Sequence, residues 1–172
     1  NVVFYLRSKK SATDKSPSEY VLEEVIKNKN LKDNRCFFIQ ATSPLLNETD
    51  IISAYKKYKK DKLDSLFTSY LTKKFIWEKI NNTYVSLSYN YKKREMRQDH
   101  KLSHVENGAL YIFETKNLLR SKNRLDKKIG TYIMPENRSL EIDGPTDIND
   151  LKIILDKKNN YKKKILKNFK II

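Results

Sequence analysis

Glycine is scarce in this chain, and its scarcity excludes a class of phosphate-binding loop. The 172 residues include three glycines, Gly108, Gly130 and Gly144, whereas average usage of about 7% would give roughly a dozen. Because the three lie far apart, the sequence contains neither a G-x-x-x-x-G-K-S/T loop nor a G-x-G-x-x-G turn. Any phosphate bound by these residues is therefore held without a glycine-rich cradle.

Cysteine, histidine and long apolar runs are also scarce. The single Cys36 excludes an intramolecular disulfide and a cysteine-based zinc cluster, and it fits a reducing compartment. His100 and His104 are too few for a multi-histidine metal site. No apolar run approaches the roughly 18 residues of a membrane span, and Asn1–Leu6 lack the features of a signal peptide. The sequence therefore predicts a cytoplasmic protein with no membrane partner.

Positive charge is abundant. The chain has 36 Lys and Arg residues against 21 Asp and Glu residues, which gives a net charge of +15. This balance raises the hypothesis of a nucleic-acid-binding module. However, the lysines are spread along the chain in short runs typical of solvated helix faces, such as Lys56-Lys57 and Lys162-Lys163-Lys164. Nucleic-acid binding is therefore kept as the weaker alternative.

The spacing of apolar residues predicts a single α/β domain over residues 1–172. Short apolar runs predict strands at Val2–Leu6, Cys36–Ile39, Asp64–Tyr70, Ala109–Phe113 and Lys128–Met134. Helical spacing predicts helices opened by Ser16 with Pro17 and Glu19, by Asn47 with Asp50, and by Thr146. We expect Asn159–Ile172 to continue the last helix as an amphipathic tail. Because Cys36–Ile39 is apolar on both faces, it is typical of a central parallel strand.

The segment from Phe75 to Leu87 departs from this alternation. Two runs rich in aromatic and β-branched residues flank Asn81-Asn82, a pattern that predicts a β-hairpin. Such a hairpin can pack on its own domain or form a dimer contact, and the residues leave both readings open.

Two carboxylates stand at alternate positions, Glu141 and Asp143. Alternate residues of an extended segment point to the same side, so these carboxylates are expected to converge. Hard oxygen ligands of this kind suit Mg²⁺, which proteins hold with one or two carboxylates together with substrate phosphates and water.

Four polar clusters lie near predicted strand ends, where open α/β sheets bind ligands. They are Gln40-Ala41-Thr42-Ser43-Pro44-Leu45, Arg97-Gln98, Asn107-Gly108-Ala109-Leu110-Tyr111-Ile112 and Glu141-Ile142-Asp143. In this order and spacing, together with the stretch from Leu6 to Ser18, they resemble the CMP-sialic acid synthetases (acylneuraminate cytidylyltransferases). The resemblance extends from Leu6 to about Leu155. The related Kdo cytidylyltransferases fit less well, because they carry an acidic motif in place of Thr42-Ser43-Pro44.

The resemblance implies a fold and a reaction. The implied fold is a three-layer, open, mostly parallel sheet of the Rossmann-type nucleotide-diphospho-sugar transferases, with residues 75–100 as an inserted dimerisation hairpin. The implied reaction is the Mg²⁺-dependent transfer of CMP from CTP to a sialic-acid-like nonulosonic acid, with release of pyrophosphate, in cell-surface polysaccharide biosynthesis. N-acetylneuraminate, legionaminate and pseudaminate all remain open as the sugar.

The resemblance also implies roles for individual residues. The cytidine part of the nucleotide would be contacted by Arg7 and Ser18. The sugar pocket would be lined by Gln40, Arg97, Asn107 and Tyr111, and the guanidinium fork of Arg97 matches a planar carboxylate. Mg²⁺ would be held by Glu141 and Asp143. The predicted catalytic residues are Asp143 and Arg97.

The chain departs from the family pattern in two places. Glu141 stands where the family has Asp, which moves the carboxylate by about one C–C bond. The family also begins with a strand and a basic, glycine-containing loop that grips the CTP triphosphate, and residues 1–172 contain no such segment. We therefore expect an N-terminally truncated cytidylyltransferase domain that is inactive alone and forms a homodimer. The alternatives are a nucleic-acid-binding module and a non-catalytic, dimer-forming remnant.

Overall fold

The computed structural model describes residues 2–168, and side chains for residues 2–157. The helices of this part are α1 (Ser18–Asn28), α2 (Glu48–Lys60), α3 (Thr115–Ser121) and α4 (Pro145–Asn168). The strands are β1 (Arg35–Ile39), β2 (Ser65–Thr72), β3 (Trp77–Ile80), β4 (Thr83–Ser86), β5 (Ser103–Glu114) and β6 (Ile129–Ile133). Short 3₁₀ turns occur at Tyr91–Lys93 and Glu136–Arg138. The predicted α/β class is confirmed.

The main sheet is mixed rather than mostly parallel. Its strand order is β1-β5-β2-β6. β5 runs antiparallel to both β1 and β2, and β2 pairs with β6 in parallel. The prediction of a mostly parallel sheet is therefore wrong for the strand pairings of the described residues. The physical reason is β5, in which residues 107–113 are all buried. A strand buried on both faces has the same apolar pattern whichever way it runs.

Helices cover both faces of this sheet. One core cluster joins α2 to the sheet and contains Ala54, Tyr58, Leu66, Leu110 and Ile112. A second cluster joins α1 and α3 to the sheet and contains Ile26, Tyr111, Phe113 and Leu118. Because successive residues of β5 point to opposite faces, the two clusters lie on opposite sides of the sheet. β5 thus connects the two halves of the core.

β3 and β4 form a separate two-stranded antiparallel sheet in which Trp77 is opposite Ser86. Asn81 at the turn has φ 55°, in the left-handed region that tight hairpin turns require. The Trp77 ring packs on Tyr89 and Tyr91, with ring centroids 5.7 and 5.6 Å apart. The proposed dimerisation role of this hairpin stays a prediction.

Two predictions near the N-terminus are wrong. Residues 2–6 form no strand in the structure, and Phe4 is 93% exposed. An extended segment becomes a strand only by pairing with a neighbour, and none of the six described strands pairs with it. The helix α1 has Pro17 as its N-cap and no side-chain cap. The predicted cap, Ser16, instead donates its hydroxyl to the carbonyl of Lys10 at 2.8 Å.

The other helix starts agree better with the sequence. The capping box of Asn47 and Asp50 at α2 is confirmed. α4 begins at Pro145 rather than at Thr146, and the carboxylate of Asp147 accepts a hydrogen bond from the Gly144 amide at 2.8 Å. The predicted apolar face of the tail Asn159–Ile172 lies outside the described side chains. None of the described helices is long and apolar enough to cross a bilayer.

Candidate active site

Three of the predicted site segments meet at Gly108, beside the carboxyl end of β1. Gly108 has φ +62°, and a Cβ at this position would overlap both Glu141 Oε1 and Gln40 Oε1. Both side chains therefore lie directly against the Gly108 backbone. The backbone amide of Gln40 donates to the Ala109 carbonyl at 3.4 Å, and this bond extends the β1–β5 ladder to Gln40. Gln40 and Glu141 are thus brought together at Gly108, and their predicted roles stay predictions.

The segment that carries Glu141 is tied to the loop that follows Gln40. The Ile142 amide donates to the Thr42 carbonyl at 2.9 Å. The Ser43 hydroxyl, in the same loop, donates to the Asn107 carbonyl at 3.5 Å. These bonds join the three motif segments through backbone groups, so their relative positions do not depend on long side chains.

Asn107 is used within the protein. Asn107 is 1% exposed, and its Nδ2 donates to Ser139 Oγ at 2.8 Å and to Met134 Sδ at 3.4 Å. Its Oδ1 accepts from the Ala109 amide at 3.4 Å. In this arrangement Asn107 fixes the loop after β6 to the motif turn, and its predicted place in a sugar pocket stays a prediction.

Tyr111 is buried and contacts two charged residues, Glu106 and Arg124, that the motifs do not assign to the site. Its hydroxyl donates to Glu106 Oε1, and the guanidinium of Arg124 lies 4.2 Å from the centre of its ring. Burial raises the pKa of Tyr111, and the hydrogen bond to Glu106 raises it further. Tyr111 is therefore a neutral donor at ordinary pH. In the sequence, Glu106 directly precedes the motif that begins at Asn107, and this position is the signal that could have identified Glu106 as a site residue.

Carboxylates accumulate at this edge of the sheet. Burial raises the pKa of Glu141, and the nearby charges of Asp143 and Glu106 raise it further. None of the three carboxylates forms an ion pair with any described residue. The edge thus holds uncompensated negative charge, which a cation would stabilise.

This donor set fits Mg²⁺. No group of three or more metal-ligating side chains occurs in the described part of the chain. A cation at this edge would therefore be held by one or two carboxylates and would take its other ligands from phosphate and water, as Mg²⁺ does. Glu141 and Asp143 are the residues that would hold it, and Asp143 is exposed to solvent.

Arg97 lines a cavity to which neither Gln40 nor Glu141 contributes. This cavity of about 710 Å³ is lined by Lys73, Lys74, Phe75, Arg94 and Arg97, among others. It lies beyond the end of β2, where Lys73 Nζ donates to the Gln98 carbonyl. The structure therefore surrounds Arg97 with further positive charge and does not join it directly to the residues at Gly108.

Arg7 and Ser18 lie on the N-terminal segment and on α1. Arg7 Nη1 donates to the Ser11 carbonyl at 3.3 Å, and Ser18 is the first residue of α1. Neither contacts Gln40 or Glu141 through any hydrogen bond of the described residues. An ion pair connects the start of α1 to the site, because Glu19 Oε1 lies 3.4 Å from Nε of Arg124, the residue that packs on Tyr111. The nucleotide-binding roles of Arg7 and Ser18 stay predictions.

Comparison with known proteins agrees with the motif resemblance. No protein-family model matches the chain. A post-translational flagellin modification protein B from Campylobacter coli is 25% identical over 126 residues, which are 70% of this chain and 52% of that protein. A pseudaminic acid cytidylyltransferase from Campylobacter jejuni is 24% identical over 158 residues, which are 87% of this chain and 67% of that enzyme. The chain is thus similar, at low identity, to a cytidylyltransferase that acts on a nonulosonic acid.

The resemblance predicted from the four motifs is confirmed by these relatives at the level of the family. The matched parts span about half the length of one relative and two thirds of the other. The aligned 158 residues of the second relative amount to most of this chain.

Proposed function

We propose that the protein transfers CMP from CTP to a nonulosonic acid and releases pyrophosphate. The observation that carries the proposal is the junction at Gly108, where the Gln40 amide and the Glu141 carboxylate meet beside the carboxyl end of β1. Open α/β sheets bind their ligands at this position. The activity for which the Campylobacter jejuni relative is named supplies the reaction class.

In the proposed reaction, the anomeric hydroxyl oxygen of the sugar attacks the α-phosphorus of CTP. A new P–O bond forms, the bond to the pyrophosphate oxygen breaks, and the hydroxyl proton is lost. Mg²⁺ held by Glu141 and Asp143 would supply neutralisation of phosphate charge. Gln40 offers an amide to hydroxyl and N-acyl groups, and Arg97 offers a fork to the sugar carboxylate. Arg7 and Ser18 would contact the cytidine, and a cytoplasmic location would suit a reaction that consumes CTP.

The sugar is proposed to be a nonulosonic acid, with pseudaminate tested first because the relative's name specifies it. Legionaminate and N-acetylneuraminate carry the same carboxylate beside the anomeric carbon and differ in their substituents. Asn107 and Tyr111 would lie close to these substituents. The buried hydroxyl of Tyr111, held by Glu106, stays protonated and keeps its orientation.

The proposal is tested by assaying CMP-sugar formation with CTP, Mg²⁺ and each of the three sugars. The assay uses the complete reading frame that contains this sequence, and in parallel the 172-residue chain. We expect turnover with one of the sugars from the complete frame and none from the 172-residue chain. Absence of turnover with every sugar from the complete frame would overturn the proposal.

The metal-binding role is tested by Asp143→Asn in the complete frame. Removing one carboxylate weakens the hold on Mg²⁺, so we expect kcat to fall by about 100-fold or more while the unfolding midpoint is retained. The matched control is Asp156→Asn, which removes the same charge from an exposed position on α4. Equal kcat in the two variants would remove Asp143 from the metal site.

A further inference from the structure

A second cavity lies at the end of the sheet opposite the candidate active site. β1 begins at Arg35 and ends next to Gln40, so Arg35 and Gln40 mark opposite ends of the same strand. At the Arg35 end there is an open cavity of about 560 Å³, which is lined by the termini of α2, α3 and β5 and by the residues before β2 and β6. This volume falls within the range of small-molecule sites.

Four lysines line this cavity: Lys59, Lys62, Lys116 and Lys127. None of them forms an ion pair or a side-chain hydrogen bond with a described residue. Other lysines nearby are engaged, since Lys57 pairs with Asp61 at 2.6 Å and Lys128 Nζ donates to the Asp61 carbonyl at 2.6 Å. The four cavity lysines thus remain without a charged partner among the described residues.

The acidic residues of the cavity are already engaged. Glu114 Oε1 accepts from Arg35 Nε at 2.9 Å and from the Tyr58 hydroxyl at 3.2 Å. Asp64 Oδ2 accepts from the Lys128 backbone amide at 3.2 Å. Since Arg35 and Glu114 cancel each other, the four lysines face only the charge of Asp64. The cavity therefore carries a clear excess of positive charge.

A buried amide also lines the cavity. Asn117, on α3, is 4% exposed, and its side chain hydrogen-bonds to no described residue. The buried side-chain atoms without a partner in the described residues are His100 Nε2 and Arg124 Nη1, so the amide of Asn117 still reaches solvent within the cavity. An accessible amide donor beside four unpaired lysines suits a ligand that accepts hydrogen bonds and carries negative charge.

We propose that this cavity binds a small polyanion with at least two linked phosphate groups. Lysine ammonium groups act as point charges toward phosphate and need no planar partner. A single carboxylate would leave most of the excess charge uncompensated, whereas a diphosphate would compensate it. The amide of Asn117 would donate to a phosphate oxygen. The proposal is independent of the proposed cytidylyltransferase activity.

The backbone suggests a variant that keeps the fold. Lys62 and Lys127 have φ 50° and φ 55°, in the left-handed region. Asn tolerates this region better than most residues, so Lys62→Asn with Lys127→Asn removes two charges with little added strain. The control is Lys122→Asn with Lys79→Gln, which removes the same charge from a third left-handed lysine (φ 58°) and from an exposed strand residue.

The test is calorimetric titration of the 172-residue chain with inorganic pyrophosphate in EDTA, which removes any Mg²⁺ that would recruit the anion to the carboxylates of the candidate active site. We expect one equivalent to bind with Kd below about 1 mM. The Lys62/Lys127 variant should bind at least tenfold more weakly, and the control should bind normally. The Asn117 side-chain resonances should shift during the titration. Equal affinity in the two double variants, or unmoved Asn117 resonances, would overturn the proposal.

Discussion

Gly108 is the residue on which the geometry of the candidate site depends most directly. It combines a left-handed backbone with close approach of two functional side chains, Gln40 and Glu141. Either property alone would favour glycine at this position. The turn therefore explains why one of the chain's three glycines is kept here.

Gly108→Ala is expected to lower the free energy of unfolding by about 2 kcal/mol or more, because a left-handed L-residue costs about 1–2 kcal/mol and the added methyl displaces Gln40 and Glu141. The control is Gly144→Ala, whose Cβ would lie 3.9 Å from Asp147 Oδ2, an ordinary van der Waals distance. Urea unfolding of both variants is the measurement. If the two variants lose the same stability, the close approach at Gly108 is refuted.

Two carboxyls in this protein should respond to pH in opposite directions. Burial and the charges of Asp143 and Glu106 raise the pKa of Glu141 above its ordinary 4.5. The folded protein therefore holds the Glu141 proton more tightly than the unfolded chain does. As pH rises above 4.5, ionisation of Glu141 lowers the free energy of unfolding. In contrast, hydrogen bonds from the Ser8 hydroxyl and amide lower the pKa of Glu24 to about 2. Ionised Glu24 therefore stabilises the folded protein at any pH above 4.5, the ordinary pKa of this side chain.

Accordingly, Glu141→Gln is expected to be more stable than the wild type at pH 7, with the difference closing as pH falls below 4.5. Glu24→Gln is expected to be less stable than the wild type at pH 7, with the difference closing between pH 4.5 and pH 2. Urea unfolding across this pH range checks both. A Glu141→Gln variant less stable than the wild type at pH 7 would contradict the charge crowding at the site.

At the scale of elements, Asp50 connects the start of α2 to the loop that leads into the site. Its carboxylate accepts from Arg138 Nη2 at 2.8 Å and from the Asn47 amide at 3.2 Å. Arg138 belongs to the 3₁₀ turn Glu136–Arg138, and the next residue, Ser139, accepts from Asn107. One buried acid thus serves as helix cap and as anchor of the loop.

Asp50→Ala is expected to cost about 2 kcal/mol or more, because it removes the cap and leaves Arg138 without its partner. Asn47→Ala, which removes the reciprocal cap alone, is expected to cost about 1 kcal/mol. Asp61→Ala, which breaks an exposed pair at the other end of α2, should cost less than Asn47→Ala does. Thermal or urea unfolding gives the three values, and an Asp50→Ala cost no larger than that of Asn47→Ala would contradict the anchor role.

Which elements could be predicted from the sequence depends on where their signals lie. β1, β2 and β6 are found within a few residues of their predicted bounds, because each is a short apolar run ended by polar residues. The polar first half of β5, which includes His104 and Glu106, was not predicted because Val105 is its one apolar residue, so the sequence offers no apolar run there. The strand Val2–Leu6 was predicted from apolarity alone, and apolarity does not supply a pairing partner.

The same limit applies to the candidate site. The meeting of Gln40, Gly108 and Glu141 was predictable, because each belongs to a motif with characteristic order and spacing. Glu106 and Arg124 were not predicted, since their part depends on contacts with Tyr111 that only the fold creates. The order β1-β5-β2-β6 also depends on pairings that no local pattern records.

At the scale of the whole molecule, the exposed apolar side chains of the hairpin β3–β4 bear on whether the protein forms a dimer. Its residues Trp77, Ile80, Tyr84, Val85 and Leu87 are all exposed, and Tyr84 reaches 62%. Contiguous exposed apolar surface marks interaction sites more often than scattered apolar residues do. The hairpin is separate from the main sheet, so a second copy of the chain could cover it without disturbing the core. We propose on these grounds that the protein forms a homodimer through residues 75–100.

Sedimentation velocity at micromolar concentration should therefore give about twice the 20.4 kDa mass of one chain. Tyr84→Ser with Leu87→Ser should shift the protein to a monomer, because these side chains are the most exposed of the apolar hairpin residues. Trp77 is left unchanged in this variant, since its contacts with Tyr89 and Tyr91 support the hairpin itself. The control, Ile52→Ser with Ile153→Ser, removes exposed apolar side chains from helices α2 and α4 and should remain dimeric. A wild-type chain that sediments as a monomer would refute the dimer, and a control that also dissociates would place the interface away from the hairpin.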